Sequence, residues 1–590
     1  MPERQAGSKK WKLFKRNTEL ETCLSSSLDV SPTLCRVLIN RGIASPEEAR
    51  EYLSPDVSRL HDPGLLDHID LAVNRTVRAI NQRERIMVHG DYDVDGITST
   101  ALLVRVLRAL GSDVTWYVPH RQREGYDLRR RGIEEAKQIG ASLIITADCG
   151  TSAADEVEYA RSLGIDVIVT DHHEPGGRIA EPLALVNPRK PSCRYPFKDL
   201  AGVGVAFKFA EALVRACGYN PKVFRQRFLD LVAIGTIADV VPLLGENRVF
   251  AKLGLEQIST STKAGMRALL QTTGLEGKKI TSNMLGYAIA PRLNAAGRID
   301  SASAAIELLL TKDDAEAGRL AQILEDRNRE RQHEQERITQ EALQQIAGIA
   351  LDKFKVLVLS SYGWNPGIVG IVATKLVDKY HRPAVLLALD ENSEVGVGSA
   401  RSIESFHVFD ALMRCGHLLE RCGGHAKAAG LSIMACRIND FQVAINQVAD
   451  EVLTESDLIP QIEVDAELEP GEVTIDLARE LQLLEPFGYG NREPVFVSRG
   501  AVVTDKTRVG TNGAHLKMWL LTSYGRPAEC IGFGWGEMET LFRIGSAVDL
   551  CYNIRLNEFN GAQMAQMVLQ DARGSDSIIS DPLGGQSRFV

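Results

Sequence analysis

Between residues 86 and 173 the chain alternates short runs that are apolar throughout with longer stretches whose apolar residues recur every three or four positions. The runs are "IMVHG", "DVTWYVP", "SLIITADCG" and "DVIVTDHHE", and the periodic stretches between them are "ITSTALLVRVLRALG", "GIEEAKQIG" and "AADEVEYARSLG". Continuously apolar strands separated by helical crossovers predict a parallel sheet with helices on both faces, since each strand must then be buried on two sides. The fold class is α/β. Further on, "AEAGRLAQILEDRNRERQHEQERITQEALQQIAGI" has helical spacing, dense charge and no proline. It predicts one long connecting helix with Glu330 and Glu334 set among arginines and its charges facing water. From about residue 460 the texture turns to short β-rich runs broken by glycines, which suits a small barrel. Nearer the start, Ser31-Pro32 and Ser45-Pro46 mark two helix starts, the second with Glu47 and Glu48 in its first turn.

Acidic residues gather where the apolar runs stop. In "HGDYDVDG" (His89 to Gly96) Asp91, Asp93 and Asp95 stand at alternate positions. Such charges repel, and a folded chain keeps them together only if something offsets the repulsion. A solvated Asx-rich turn is the plain alternative. "LIITA" runs into Asp148, and "DVIVT" into Asp171, His172 and His173. Ligands of open parallel sheets bind beyond the carboxyl ends of the strands, so these clusters should converge. Asp239 interrupts the apolar segment "LVAIGTIADVVPL", where a lone carboxylate is costly unless paired or bound to metal. Carboxylates with imidazoles and no thiolates suit Mn²⁺ or Mg²⁺, with zinc a poor third. The ligands are too many for one ion with open positions. A pair roughly 3.5–4 Å apart, sharing a carboxylate, would activate water and stabilise an in-line displacement at phosphorus.

Bulk properties narrow the class. A chain of 590 residues exceeds what one core supports, so about three domains are expected. With 44% hydrophobic and 25% charged residues it has an ordinary globular composition. No apolar stretch is long enough for a bilayer, and "MPERQAGSKKWKLFKR" is basic with no apolar core behind it, unlike a secretory signal. Ten cysteines without CxxC pairs point to a reducing interior, hence a cytoplasmic location. The net charge of −9 disfavours a broad phosphate-binding surface. Arg121, Arg123 and Arg129 to Arg131 nevertheless crowd one segment, either as a solvated helix or as a local patch.

"HGDYDVDG", "TADCGTS", "TDHHEP" and "LVAIGTIADVVPL", in that order, resemble the four motifs of the DHH phosphoesterase superfamily. "APRLNAAGRIDSA", "WNPGIVGIVATKL", "GSARS", "GGHAKAAG" and "LEPFGYGNREPVF" extend the resemblance to its RecJ-type single-strand-specific 5′→3′ exonucleases, from about residue 60 to about 570. The resemblance implies a helical lead-in (1–60), a parallel-sheet DHH catalytic domain (61–313), a connecting helix (314–350) and a smaller α/β DHH-associated domain (351–456). An OB-type barrel (457–575) would follow, and the composition of "GSDSIISDPLGGQSRFV" predicts a disordered tail (576–590). The resemblance makes Asp93, Asp95, Asp148, His172 and Asp239 ligands of two Mn²⁺ or Mg²⁺ ions, with Asp148 bridging and His89 a further ligand. Asp91 stands behind them, and Asp148, Asp239 and His173 are the catalytic residues. His173 would contact the scissile phosphate or protonate the leaving oxygen.

By the same resemblance Ser399 and Arg401, with Gly424 and His425, would hold the terminal 5′-phosphate, while Arg121 and Arg298 grip backbone phosphates. Trp364 is either a base platform or a core residue, and His515, Lys517, Trp519 and Phe559 are candidates in the barrel. Two positions depart from the family pattern: Asn365 stands where a histidine is usual, and Arg492 where a proline is. The implied substrate is single-stranded DNA with a 5′ end, in repair and recombination, with a helicase and a single-strand-binding protein as further partners of a monomer. The alternatives are an oligoribonuclease or cyclic-dinucleotide phosphodiesterase, and a DNA-binding scaffold without activity.

Overall fold

The structure is a computed structural model and describes residues 9–121, 123–299, 301–348, 351–391, 393–523, 527–559 and 561–574. The expected tail after 575 and the side chain of Phe559 lie outside the described residues. Two compact units are present. The larger comprises Pro55–Thr454 and Pro486–Asn491, and the smaller the described residues of the rest.

The larger unit opens on the expected alternation: β1 (Arg85–Gly90), α1 (Val94–Ala109), β2 (Val114–Tyr117), α2 (Arg130–Gln138), β3 (Ala141–Ala147), α3 (Ala154–Ser162), β4 (Asp166–Thr170) and β5 (Ala184–Val186). All strand pairings in this sheet are parallel, in the order β2-β1-β3-β4-β5. Alternation along each strand splits its side chains between two cores. Ile86, Val88, Leu143, Ile145 and Ile168 join one large cluster with α1, α4 (Gly202–Ala216) and α5 (Pro221–Ala238). Met87, Ile144, Val167 and Val169 pack instead on α2 and α3 through Ile133, Ala136, Val157 and Ala160. Each such side chain contributes about 1.5–3 kcal/mol on burial. The order reverses between β1 and β3, so their carboxyl ends flank the switch point where such sheets bind ligands.

Asp239, the acid in the apolar segment, stands at a helix end. It follows the last turn of α5, donating its backbone N–H to Gly235, and its side chain is 23% exposed. Val240 beside it takes a left-handed φ of 59°, which turns the chain out of the helix.

Past α6 (Ala290–Ile299), the long helix α7 runs unbroken from Asp314 to Ala347. Its first half gives Ala317, Leu320, Ala321 and Leu324 to the catalytic core, and its last turns give Ile338, Ala342 and Ile346 to a second core. Between them Glu325, Asn328, Arg331 and Gln335 are buried, which corrects the expectation of a wholly solvated charged surface. The second lobe holds β6 (Leu357–Tyr362), α8 (Val369–Tyr380), β7 (Ala384–Leu389), β8 (Val395–Arg401), β9 (Arg421–Gly424) and β10 (Ala428–Met434), in the sheet order β9-β10-β8-β7-β6. Trp364 belongs to this core, 3% exposed and donating Nε1–H to Glu341 at 2.7 Å, so it is no base platform.

In the smaller unit β11 (Phe496–Val509), β12 (His515–Leu520), β13 (Ala528–Gly532), β14 (Ala547–Phe559) and β15 (Ala562–Gly574) run in the order β11-β12-β13-β15-β14, and β14 pairs back onto β11. The sheet closes into a five-stranded barrel with no free edge among these strands. Along β12, Leu516, Met518 and Leu520 point inward while His515, Lys517 and Trp519 face out, partly exposed. Lys517 pairs with Glu529 at 2.8 Å and lies 5.1 Å from the Trp519 ring centre. The N-terminal helices Pro32–Asn40 and Pro46–Leu53 form as expected, the second with a Ser45–Glu48 capping box. A strand absent from the sequence reading, Lys10–Leu13, pairs in parallel with Gln461–Val464. Arg492 is fixed nearby by Glu463 O and Asp465 Oδ1.

The approach of α5 to α1 depends on Gly235, where a Cβ would lie 2.7 Å from both Asp95 Oδ1 and Val203 Cγ1. Gly235→Ala should therefore cost about 1–3 kcal/mol of overpacking, read as a lower denaturation midpoint. An unchanged midpoint would refute this account of the packing.

Candidate metal centre

The acidic turn after β1 is built by its own hydrogen bonds. Asp93 caps α1, its Oδ1 accepting from the N–H groups of Asp95 (2.9 Å) and Gly96 (3.1 Å). The chain folds back so tightly that a Cβ on Gly96 would lie 2.7 Å from Asp91 Cα. Asp95 is drawn to the start of α4, where Oδ2 accepts from Gly202 N–H at 2.7 Å and Oδ1 from Val203 N–H at 2.8 Å. Asp148 follows β3 with φ at 67°, a left-handed backbone whose strain the surrounding packing must hold. After β4, Asp171 anchors the paired histidines: Oδ1 accepts from both their backbone N–H groups and lies 2.8 Å from His173 Nδ1, and Oδ2 accepts from Thr151 N–H.

These elements bring the acids together around one imidazole. His172 Nε2 lies 3.2 Å from Asp148 Oδ1, 3.5 Å from Asp239 Oδ2 and 3.9 Å from Asp95 Oδ2. Three overlapping groups offer ligand atoms within 4.8 Å of one another: Asp148, His172 and His173; Asp95, His172 and Asp239; and Asp91, Asp93 and Asp148. Asp91 thus stands among the ligand atoms rather than behind them. Asp91 Oδ1, Asp148 Oδ1 and His172 Nε2 are buried without a hydrogen-bond partner. Unpartnered buried acceptors of this kind are costly.

The electrostatics agree. Burial, then the neighbouring carboxylates, push Asp91, Asp148 and Asp239 well above the ordinary carboxylate range, and burial and Asp93 raise Asp95 to about 7. Without cations the cluster must hold protons to exist. Burial lowers His172 to about 3, leaving it a neutral donor. For His173 burial acts the same way, but Asp171 outweighs it and raises the imidazole to about 10. Oxygen donors, a neutral imidazole and no thiolate fit Mn²⁺ or Mg²⁺.

His89 is not in any of these groups. Alternation along β1 places it on the Met87 side, under α2, where its ring packs on Tyr117 with centroids 5.2 Å apart. A Cβ on Gly132 would lie 2.7 Å from its Cδ2. The structure thus separates it from the ligand cluster that the resemblance assigned it to.

The arginines named from the resemblance lie near one another. Arg121 lies 5.0 Å over the Tyr92 ring, Arg298 Nη1 donates to Gly367 O at 2.9 Å, and Arg401 Nη1 donates to Ser399 Oγ at 2.7 Å. Burial, then Arg121 and Arg331, lower Arg298 to about 10, and burial and Arg121 lower Arg401. Among the described residues, none of Arg121, Arg298, Arg331 and Arg401 has a carboxylate within ion-pair distance. Strand register sets Arg401 opposite Ala428, and burial and Arg401 lower the His425 imidazole in the adjoining loop. Gly424 is needed for the hairpin itself, since a Cβ there would lie 2.7 Å from Ala429 Cβ.

Sequence reading missed two residues here. Tyr126, whose hydroxyl lies 2.9 Å from His173 Nδ1, sits in "EGYDL", which carries no periodic signal. Arg331 was hidden in a charged helix. The stripe Leu324, Asn328, Arg331, Gln335 and Ile338 keeps helical spacing, and a polar interruption of that stripe was the available clue.

Comparison with known proteins agrees with this architecture. Family models match at residues 85–236 (DHH family, N-terminal domain), 336–451 (DHHA1 domain) and 464–571 (RecJ OB domain). The single-stranded-DNA-specific exonuclease RecJ of Bacillus subtilis is 38% identical over 98% of this chain and 72% of its own length. That of Haemophilus influenzae is 36% identical over 95% of this chain and 98% of its own. Crystal structures of RecJ from Thermus thermophilus in complex with Mn²⁺ and with Mg²⁺ superpose with TM-scores of 0.82 and 0.76, at 31% and 30% identity. They cover 96% of this chain, which spans 80% and 79% of theirs. With two relatives above 30% identity matched over nearly all of this chain and all three domain types in order, this chain belongs to the RecJ family, whose curated members are named single-stranded-DNA-specific exonucleases.

Proposed function

We propose that the protein is a metal-dependent exonuclease that degrades single-stranded DNA from its 5′ end and releases 5′-mononucleotides. The observation that carries this reading is the set of three overlapping ligand groups sharing Asp148 and His172 at the switch point of a parallel sheet. Asp91, Asp93, Asp95, Asp148, His172 and Asp239 would hold two Mn²⁺ or Mg²⁺ ions, with Asp148, common to two of the groups, as the ligand they would share. When bound, such a pair supplies charge stabilisation at phosphorus and activation of water.

The remaining work falls to the chain's own side chains. Arg121 and Arg298 draw the phosphate diester to the centre, with guanidinium forks that match its oxygens. Ser399, Arg401 and His425, with the backbone at Gly424, stop the terminal 5′-phosphate, so that only the first diester reaches the ligands. Water attacks phosphorus, losing a proton to solvent, as the bond to the 3′-oxygen breaks. His173, charged through Asp171 and held by Tyr126, gives its proton to that oxygen. The barrel offers Trp519 and His515 on its outer face as contacts for single-stranded DNA, while Lys517 is partly neutralised by Glu529. Among the described residues no helix is long and apolar enough to cross a membrane. A monomer in the cytoplasm, working beside a helicase and a single-strand-binding protein in repair and recombination, fits this chemistry.

Asp148→Ala should lower the rate by more than the roughly 10–100-fold typical of residues behind a metal ligand. It should also abolish any Mn²⁺-induced rise in melting temperature, and a retained rise would refute the bridging assignment. His173→Ala should lose about 10²–10⁴-fold in single-turnover rate while keeping that rise; an unchanged rate removes it from the mechanism. Arg401→Ala should narrow the preference for 5′-phosphate over 5′-hydroxyl ends by about tenfold, measured on paired oligonucleotides. If the preference is unaltered, Arg401 does not hold the end.

A further inference from the structure

Beside the metal centre the larger unit contains a cavity of about 390 Å³ whose wall includes Val240, next to the ligand Asp239, together with Arg298, Arg331, Asn294, Tyr287 and Tyr489. Its rim is built from the motif "LEPFGYGN", which the exonuclease reading leaves without a task. Gly488 and Asn491 exchange backbone hydrogen bonds of 2.8 and 3.1 Å, so Tyr489 and Gly490 form the tip of a tight turn. That turn is clamped to the segment after α5. Leu243 N–H donates to Tyr489 O at 2.8 Å, the Ser282 hydroxyl donates to Phe487 O at 2.5 Å, and a Cβ on Gly488 would lie 2.6 Å from Leu243 Cδ1. Gly490, with φ at 73°, adopts a left-handed backbone that a side chain would strain.

On this rigid support two aromatic rings are left open: Tyr489 is 53% exposed and Tyr287 85%. Tyr287 projects from a single π-helical turn, Leu285–Ile289, a local irregularity frequent at functional sites. The inner wall is cationic. Arg331 is 9% exposed and fixed by Asn328 Oδ1 at 2.9 Å and Gln335 Oε1 at 2.7 Å. Both partners are neutral amides, and no carboxylate among the described residues pairs with it. A buried guanidinium held in place without a counter-charge is costly unless an anion completes it. Lys427 adds a second cation 5.7 Å from the Tyr489 ring centre.

Open flat rings above an uncompensated guanidinium call for a ligand with a planar face and a negative charge. We infer that the cavity seats one nucleotide of the bound strand, 3′ to the scissile phosphate, its base on the Tyr287 and Tyr489 rim and its phosphate on Arg331. A strand is favoured over a free nucleotide because the cavity adjoins Asp239 and Arg298, so its occupant is continuous with the diester at the metal centre. The direction along the strand rests on the exonuclease reading, in which the 5′ end is stopped on the Ser399 and Arg401 side. Stacking on tyrosine tolerates any base, so the site reads the presence of a base rather than its identity.

The test measures binding of 3′-labelled, 5′-phosphorylated oligonucleotides to the full-length protein in EDTA, using an intact strand and strands with one abasic site at each of nucleotides 2 to 6. Wild type should bind one abasic strand about tenfold more weakly than the intact one. Tyr489→Ala and Tyr287→Ala should bind the intact strand about tenfold more weakly and lose the penalty at that nucleotide, while Tyr489→Phe behaves as wild type. Intact-strand affinity unchanged in both alanine variants, or an abasic penalty that persists in them, would overturn the inference. So would a free mononucleotide whose binding the variants abolish while strand binding is unaffected. Adding Mn²⁺ to the same wild-type mixture reads the exonuclease separately, so failure to shorten the intact strand would sink that reading while the binding comparison still decides this one.

Discussion

Asp95, Asp148 and Asp239 are held within reach of one imidazole, and Asp91 and Asp93 within reach of Asp148, against their mutual repulsion, and the larger unit is arranged to keep them there. Two unit charges about 4 Å apart cost around 4 kcal/mol even at an effective dielectric of 20. The constraint is met by backbone rather than by flexible side chains. Asp93 is tied to the first turn of α1, Asp95 to the first turn of α4, and Asp148 to a left-handed backbone at the end of β3. Oxygens fixed in this way cannot relax outward to water. Cations are the natural relief, and the unpartnered Asp91 and Asp148 oxygens and His172 Nε2 are what they would meet.

Four arginines drawn from both lobes and the helix between them supply the opposite sign. Arg401 comes from β8, Arg298 from α6, Arg331 from α7 and Arg121 from the loop after β2, all in one unit and all without a paired carboxylate among the described residues. An acidic centre bordered by unpaired guanidiniums is complementary to a phosphodiester crossing from one to the other. The net charge of −9 conceals this pairing, because the acids and the arginines that matter nearly cancel in a sum over the chain. The helix α7 sets the spacing by lending one half to each core, and its buried polar stretch falls where the two cores part.

Legibility in the sequence followed how each residue's environment is encoded. Strands β1 to β4 were readable because burial on two faces leaves an unbroken apolar run, and the acids after them were readable because the run stops there. The resemblance made His89 a ligand, yet strand alternation sends it to the opposite face, under Gly132. Asp239 sits in an apolar run too short in signal to separate a strand from a helix end, and only the structure shows it ending α5. Trp364, Arg331 and Tyr489 depend on contacts many residues away, with Glu341, with the cavity wall and with Leu243. The strand Lys10–Leu13 pairs with residues some 450 positions later, a separation no local pattern can encode.

The central claim is that divalent cations relieve the carboxylate repulsion at the switch point. Anomalous diffraction from crystals of the protein grown with Mn²⁺ tests it most directly. The expected map has two strong peaks sharing Asp148, one beside Asp95, His172 and Asp239 and the other beside Asp91 and Asp93. A map with no peak among these residues, with the carboxylates paired through protons instead, would contradict the account.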